Sequence, residues 1–270
     1  MKISYIPNLI VETSRRCNAG CLHCLRGSPQ ELDLKQEVLT RFFQGLSDDV
    51  SIDSICIGGG EPALAVKQIA LLRKNLERRG TPFDSIFMVT SGFASVDEKL
   101  QRKLFSDLAV EALRFYAAAE KDEPELCGIA LSEDQFHPYP DPWVRSLLSG
   151  LSFFQPDTKR VVPGKTQYLI REGRAKALED SPDEYRLRDL SPTDWAVDQI
   201  DTNIDPNGEQ ILQICDGQLY LCANGNIVNC CDFSYEHADL DPVCSVFETN
   251  WPERWYRETL RRKKRENPDA

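Results

Sequence analysis

The chain has 270 residues, a formal net charge of −11, 41% apolar residues and ten cysteines. That length gives one large domain or a domain with an appendage, and no segment is long and apolar enough to span a bilayer. The acidic balance disfavours nucleic acid as a general partner, since phosphate binding needs a basic face. Clustered cysteines in a chain of this size point to metal ligation in a reducing cytoplasm rather than to a disulfide scaffold.

In chain order, Leu9 to Glu12 reads as a short buried strand leading to Ser14-Arg15-Arg16-Cys17-Asn18-Ala19-Gly20-Cys21-Leu22-His23-Cys24. Three thiols at gaps of three and two can turn toward one point, with Asn18 and Gly20 permitting the turn. Cubane iron–sulfur clusters normally take four thiolates, so a cluster on Cys17, Cys21 and Cys24 keeps one iron open. A structural zinc site is the alternative, but zinc wants four closed ligands, and His23 is too near Cys24 in sequence to complete them easily.

A helix is expected over 34–46, then a strand over Ile52 to Ile57 that runs into Gly58-Gly59-Gly60-Glu61-Pro62. Glycines there let the backbone approach a ligand closely, and Pro62 suits the first turn of a helix over 63–79. A third strand spans Phe83 to Thr90. Ser95 and Glu98 offer a capping pair for helical periodicity from Leu100 onward, as one helix or two. A fourth strand, Gly128 to Leu131, ends in Ser132-Glu133-Asp134. Asp141-Pro142 opens a further helix. Thr166 to Ile170 is a fifth strand before Gly173-Arg174-Ala175, and the polar stretch 179–194 reads as a linker.

The run Cys17-x3-Cys21-x2-Cys24 after an apolar strand, with the Gly-Gly-Glu-Pro strand end, resembles the radical S-adenosylmethionine (SAM) enzyme superfamily. The resemblance implies an α/β fold, an incomplete (β/α)6 TIM-like barrel, with a 4Fe-4S cluster on Cys17, Cys21 and Cys24. It implies that the open iron takes the amino and carboxylate groups of SAM, and that the reduced cluster cleaves SAM to a radical that abstracts hydrogen from substrate; such chemistry belongs to the cofactor. By the same resemblance Gly59, Gly60 and Glu61 meet the methionine amino group, His23 lies against adenine, and Ser132 and Asp134 reach ribose or methionine. Arg174 is read as a contact to SAM or substrate, or as a helix-start ion pair. His137 is open between a substrate role and none.

Toward the C-terminus, apolar runs flank Asn224-Gly225, a hairpin signal. With those two residues central, Cys222 faces Ile227 and Leu219 faces Cys230. This part resembles the truncated auxiliary-cluster (SPASM or twitch) module of peptide-maturing members, implying a Cys-rich β-hairpin module over 196–270 after a core of 1–195, and an auxiliary 4Fe-4S cluster on Cys215, Cys230 and Cys244. Buried free cysteines are the alternative, and Cys222 and Cys231 stay open as ligands. The basic run from Arg254 to Arg265 reads as a solvated helix end.

The expected activity is reductive SAM cleavage and hydrogen abstraction from a peptide or small molecule, with a flavodoxin- or ferredoxin-type reductant and no membrane partner. No further domain precedes the first strand, so leader-peptide recognition is expected to need a separate protein. The alternatives are an RNA-modifying radical SAM enzyme, which the charge opposes, and a non-catalytic iron–sulfur electron carrier or scaffold, which Gly58 to Glu61 opposes.

Overall fold

A computed structural model describes residues 1–120, 127–133, 136–137, 140–155, 167–179, 185–190, 197 and 199–266. Its frame is a run of parallel strands in spatial order β1 (Lys2–Ser14), β2 (Leu46–Gly59), β3 (Phe83–Thr90) and β4 (Gly128–Leu131). Between them run α1 (Gln36–Gln44), α2 (Val66–Arg79) and α3 (Glu98–Ala118). Strands alternating with helices place the helices on one face, and parallel strands covered on both faces read as near-continuous apolar runs, as Leu9-Ile10-Val11 does. Leu9 and Val11 enter the large core against the helices, whereas Ile10 enters a small core on the other face, the alternation a strand imposes.

The first two strands start earlier than their apolar runs suggest, and Leu46 belongs to β2 rather than to the preceding helix. The boundaries of β3 and β4 fall where expected. The helix after the Gly-Gly-Glu-Pro run begins as a 3-10 turn, Pro62–Leu64, with Glu61 as its cap. Helix α3 is a single helix capped by Asp97, not by Ser95: the Asp97 carboxylate accepts from the Leu100 amide at 2.7 Å. Ser95 instead accepts from the Asp97 amide. Asp97→Ala should therefore lower unfolding free energy by about 0.5–2 kcal/mol in urea titration, with Ser95→Ala costing less.

Asp141 caps α4 (Pro142–Ser149), accepting from the Trp143 amide at 2.8 Å. Strand β5 (Gln167–Ile170) pairs in parallel with β6 (Tyr185–Arg188), a strand inside the stretch expected to be a linker. Tyr185-Arg-Leu-Arg does alternate, but it is too short to stand out among polar neighbours.

The C-terminal strands do not stand apart from the barrel sheet. β8 (Gln210–Asp216) and β9 (Leu219–Leu221) lie in succession along the free edge of β1, both parallel to it. β7 (Gln199–Ile204) flanks β8, while β10 (Asn226–Val228) and β11 (Cys244–Ser245) follow β9. The expected 195/196 boundary lies outside the described residues.

The hairpin register also differs. Leu221 faces Ile227 and Tyr220 faces Val228, because the connection is a three-residue loop with Gly225 at φ 90° and the Cys222 amide donating to the Asn226 carbonyl. Such a loop carries a bulge that a two-residue turn lacks, and a one-residue slip exchanges faces.

Helix α5 (Tyr235–Leu240) follows the hairpin, and α6 (Trp251–Glu266) closes the chain. Trp251 stacks on Phe42 at 5.5 Å, and Trp255 is fully buried, its indole donating to Asn229 Oδ1 at 2.6 Å. The basic face of α6 is laced by ion pairs such as Arg257–Glu253 and Arg262–Asp241, as a solvated helix end should be. No helix among the described residues is long and apolar enough to cross a membrane.

Candidate functional site

The ends of β1, β2, β3 and β4 converge on one cavity of about 370 Å³. Active sites of barrels are built at this C-terminal face from strand-end loops. Cys17, Cys21, Cys24 and His23 border the cavity from the first loop, and Gly59, Gly60 and Glu61 from the second. Ser132, His137 and Arg174 border it too, whereas Asp134 lies outside the described residues. The described residues expected to hold the first cluster and SAM thus all border this one cavity.

The two motif loops are tied by backbone. Gly60 N–H donates to the Ser14 carbonyl at 2.7 Å and Glu61 N–H to the Arg16 carbonyl at 2.9 Å. A Cβ on Gly60 would lie 2.1 Å from Arg16 O, and one on Gly59, at φ 111°, would lie 2.2 Å from Ser14 O. These glycines therefore serve the contact between loops first. A third piece locks the far side: Arg174 N–H donates to the Cys24 carbonyl at 2.9 Å, and a Cβ on Gly173 would meet Leu25 O at 2.2 Å.

Glu61 is buried, and its carboxylate is spent within the loops. It accepts from Thr90 Oγ1, from Ser91 Oγ at 2.7 Å, and from the Ser91 and Ala63 amides at 3.0 and 3.2 Å. Burial pushes its pKa up, and these four donors pull it back. Its side chain thus ties the strand ends together.

Arg15 is the residue that sequence reading missed. Fully buried, it forms a bidentate pair with Asp239 of α5 at 2.7 and 2.8 Å and an ion pair with Glu12 at 2.6 Å. Glu12 also accepts from Tyr220 OH and the Ala223 amide, both at 3.1 Å. The C-terminal segment thereby braces the base of the cysteine loop. Nothing local signals a partner 224 residues away.

His23 sits among rings, with Phe136 and His137 each 4.7 Å away by ring centroids. Burial pushes the Cys17 thiol up to about 11. Among the described residues no three Cys, His, Asp or Glu side chains converge closely enough to hold one metal ion.

The residues expected to hold an auxiliary cluster are not brought together. Cys244 faces Ile227 and lies in the large core, whereas Cys230 lies in the small core on the opposite face. Cys215 lies on β8 beside Gln213, with Asp201 on the neighbouring β7; β8 pairs with the start of β1, away from the site. The register slip at Gly225 is the cause for Cys230: it joins the face of Tyr220 and Val228 rather than that of Leu219.

No family model and no curated protein matches the sequence. Solved structures do. BtrN in complex with AdoMet and 2-DOIA aligns over 98% of this chain and 88% of its own, at 13% identity and a TM-score of 0.46. SuiB from Streptococcus suis, bound to precursor peptide SuiA, aligns over 94% and 65%, at 13% identity and a TM-score of 0.37. For anSMEcpe with bound AdoMet and Cp18Cys peptide, the match covers 96% of this chain and 82% of that one, at 12% identity and a TM-score of 0.51. On that last likeness, and on a parallel sheet whose strand ends meet at one cavity, the chain shares the fold of anSMEcpe.

Proposed function

We propose that the protein is a radical SAM enzyme in which Cys17, Cys21 and Cys24 hold a 4Fe-4S cluster and the adjoining cavity takes SAM. The observation that carries this is convergence: three thiols, the Gly59–Glu61 loop, Ser132 and Arg174 all border one cavity, whose volume falls within the roughly 300–1,000 Å³ of small-molecule sites. When bound, the cluster supplies the electron that cleaves SAM and so starts hydrogen abstraction.

The chain's own residues would bind and orient. Backbone of Gly59 and Gly60 forms the wall beside the thiols. Arg174 offers a guanidinium with no partner among the described residues, suited to a carboxylate of SAM or substrate. The rings of His23 and Phe136 offer a face for a planar base.

A peptide is the favoured substrate class, since anSMEcpe, which shares the fold, was solved with a peptide bound. Tyr168, 62% exposed and bordering the cavity, gives such a chain an apolar face. A flavodoxin- or ferredoxin-type protein would supply electrons, a separate protein would recognise the peptide, and a reducing cytoplasm would suit ten free cysteines. RNA modification is disfavoured by the charge of −11. Anaerobic reconstitution tests the metal assignment: a Cys17/Cys21/Cys24→Ala variant should lose about four irons per chain, and unchanged iron would reject it.

A further inference from the structure

Tyr235 of α5 brings the C-terminal segment to the border of the cavity. It is 3% exposed, and the Arg15 guanidinium stands 4.6 Å from its ring centroid. Its amide donates to the Arg26 carbonyl at 3.0 Å, while its hydroxyl has no hydrogen-bond partner among the described residues. Arg174 borders the same cavity, its amide held by the Cys24 carbonyl at 2.9 Å. The two anchoring carbonyls are two residues apart, so both backbones meet the cysteine loop within roughly 7 Å of each other. A side-chain tie also crosses between them: Glu172, beside Gly173, lies 3.6 Å from Nδ1 of His237, two residues beyond Tyr235.

The other arginine and carboxylate side chains that border the cavity are already committed. Arg15 is held by Glu12 and Asp239, and Glu61 accepts from Thr90, Ser91 and Ala63. Arg174 keeps its guanidinium for a ligand. A tyrosine hydroxyl taken out of water normally finds a hydrogen-bond partner, and none of the described groups supplies one here. A guanidinium and a hydroxyl on one wall are both donors, and a carboxylate has two oxygens that only accept. An ammonium group would be repelled by Arg174 and has no acceptor to offer Tyr235.

We propose that Arg174 and Tyr235 form a carboxylate-binding pair, and that the substrate presents a carboxylate to it, a step that rests on the function proposed above. On that reading the amino and carboxylate groups of SAM go to the open iron, which leaves this pair for the second ligand. The guanidinium supplies the charge-assisted contact, and the Tyr235 hydroxyl donates the other hydrogen bond.

The position gives the pair its use. A carboxylate held there is fixed to the loop that carries the thiols, at and just beyond the last of them, and an anchored ligand is an oriented one. Helix α5 then serves twice: Asp239 braces Arg15 from beneath, and Tyr235 meets the ligand. The cation over its ring fixes how the ring lies.

The test uses the full, anaerobically reconstituted chain, with para-fluorobenzoate as the probe and para-fluorobenzamide as its neutral control, both titrated by fluorine NMR with and without saturating SAM. The parent chain should bind the carboxylate about tenfold tighter than the amide, in the presence of SAM as in its absence. Arg174→Gln should weaken the carboxylate by about tenfold, and Tyr235→Phe, which keeps the ring under Arg15, by about fivefold. Neither variant should change the affinity for the amide, a readout that a merely misfolded cavity would move. A carboxylate that binds no better than the amide, or a Tyr235→Phe chain that matches the parent, would overturn the proposal. So would exclusion of the probe by SAM, because the pair would then belong to SAM's own carboxylate. Iron content and SAM binding of the parent chain, measured before the probe is added, report the proposed function separately, so a failure of either is recognised on its own.

Discussion

Gly60→Val is expected to abolish iron loading and SAM binding together. A glycine at the end of a strand beside a ligand suggests a milder result, loss of SAM with the cluster kept. The geometry gives the harsher one. The first atom of any side chain at position 60 would stand 2.1 Å from the Arg16 carbonyl oxygen and 2.7 Å from its carbon. Both are backbone, so no rotamer change relieves the clash. Overpacking alone costs about 1–3 kcal/mol, and the hydrogen bonds from Gly60 and Glu61 to Ser14 and Arg16 would part with it. Arg16 immediately precedes Cys17, so the thiol array would lose its support. Iron and SAM measured on one purified sample decide the matter, and iron retained in full would show that the loops are not coupled this way.

Arg15→Ala should carry the largest penalty to stability. The guanidinium is 0% exposed and Glu12 is 1% exposed, so removing the cation leaves a buried carboxylate without its main counter-charge. Breaking a buried pair in this manner costs about 3–5 kcal/mol. Tyr220 and Ala223 would still donate to Glu12, which keeps the expectation within that range. Asp239→Ala should cost less, since Asp239 is 36% exposed and can be solvated. Urea midpoints of the two variants against the parent chain check both the size and the order.

These two residues show what was legible and what was not. The thiol spacing, the Gly-Gly-Glu-Pro run and Ser132 are local signals, and each occupies a strand end because strand and loop are written side by side. β3 and β4 were bounded correctly because their apolar runs stop at Ser91-Gly92 and Ser132. The partner of Arg15 lies in another part of the chain, and an arginine beside a cysteine announces nothing about it. At Gly60 the structure shows the Arg16 carbonyl as a close neighbour the sequence did not announce, since a glycine tells that something comes close and not what. At Gly225 one extra loop residue moved Cys230 to the other face, a change no apolar pattern records because Leu219, Tyr220 and Leu221 are apolar on both.

The central claim is that this cavity binds SAM beside a cluster on Cys17, Cys21 and Cys24. Its most direct measurement is the product formed when the reconstituted protein, reduced anaerobically with dithionite, is given SAM without any substrate. The parent chain should release 5′-deoxyadenosine and methionine, and the Cys17/Cys21/Cys24→Ala variant should release neither. Equal release from both, or none from a parent chain carrying about four irons, would contradict it.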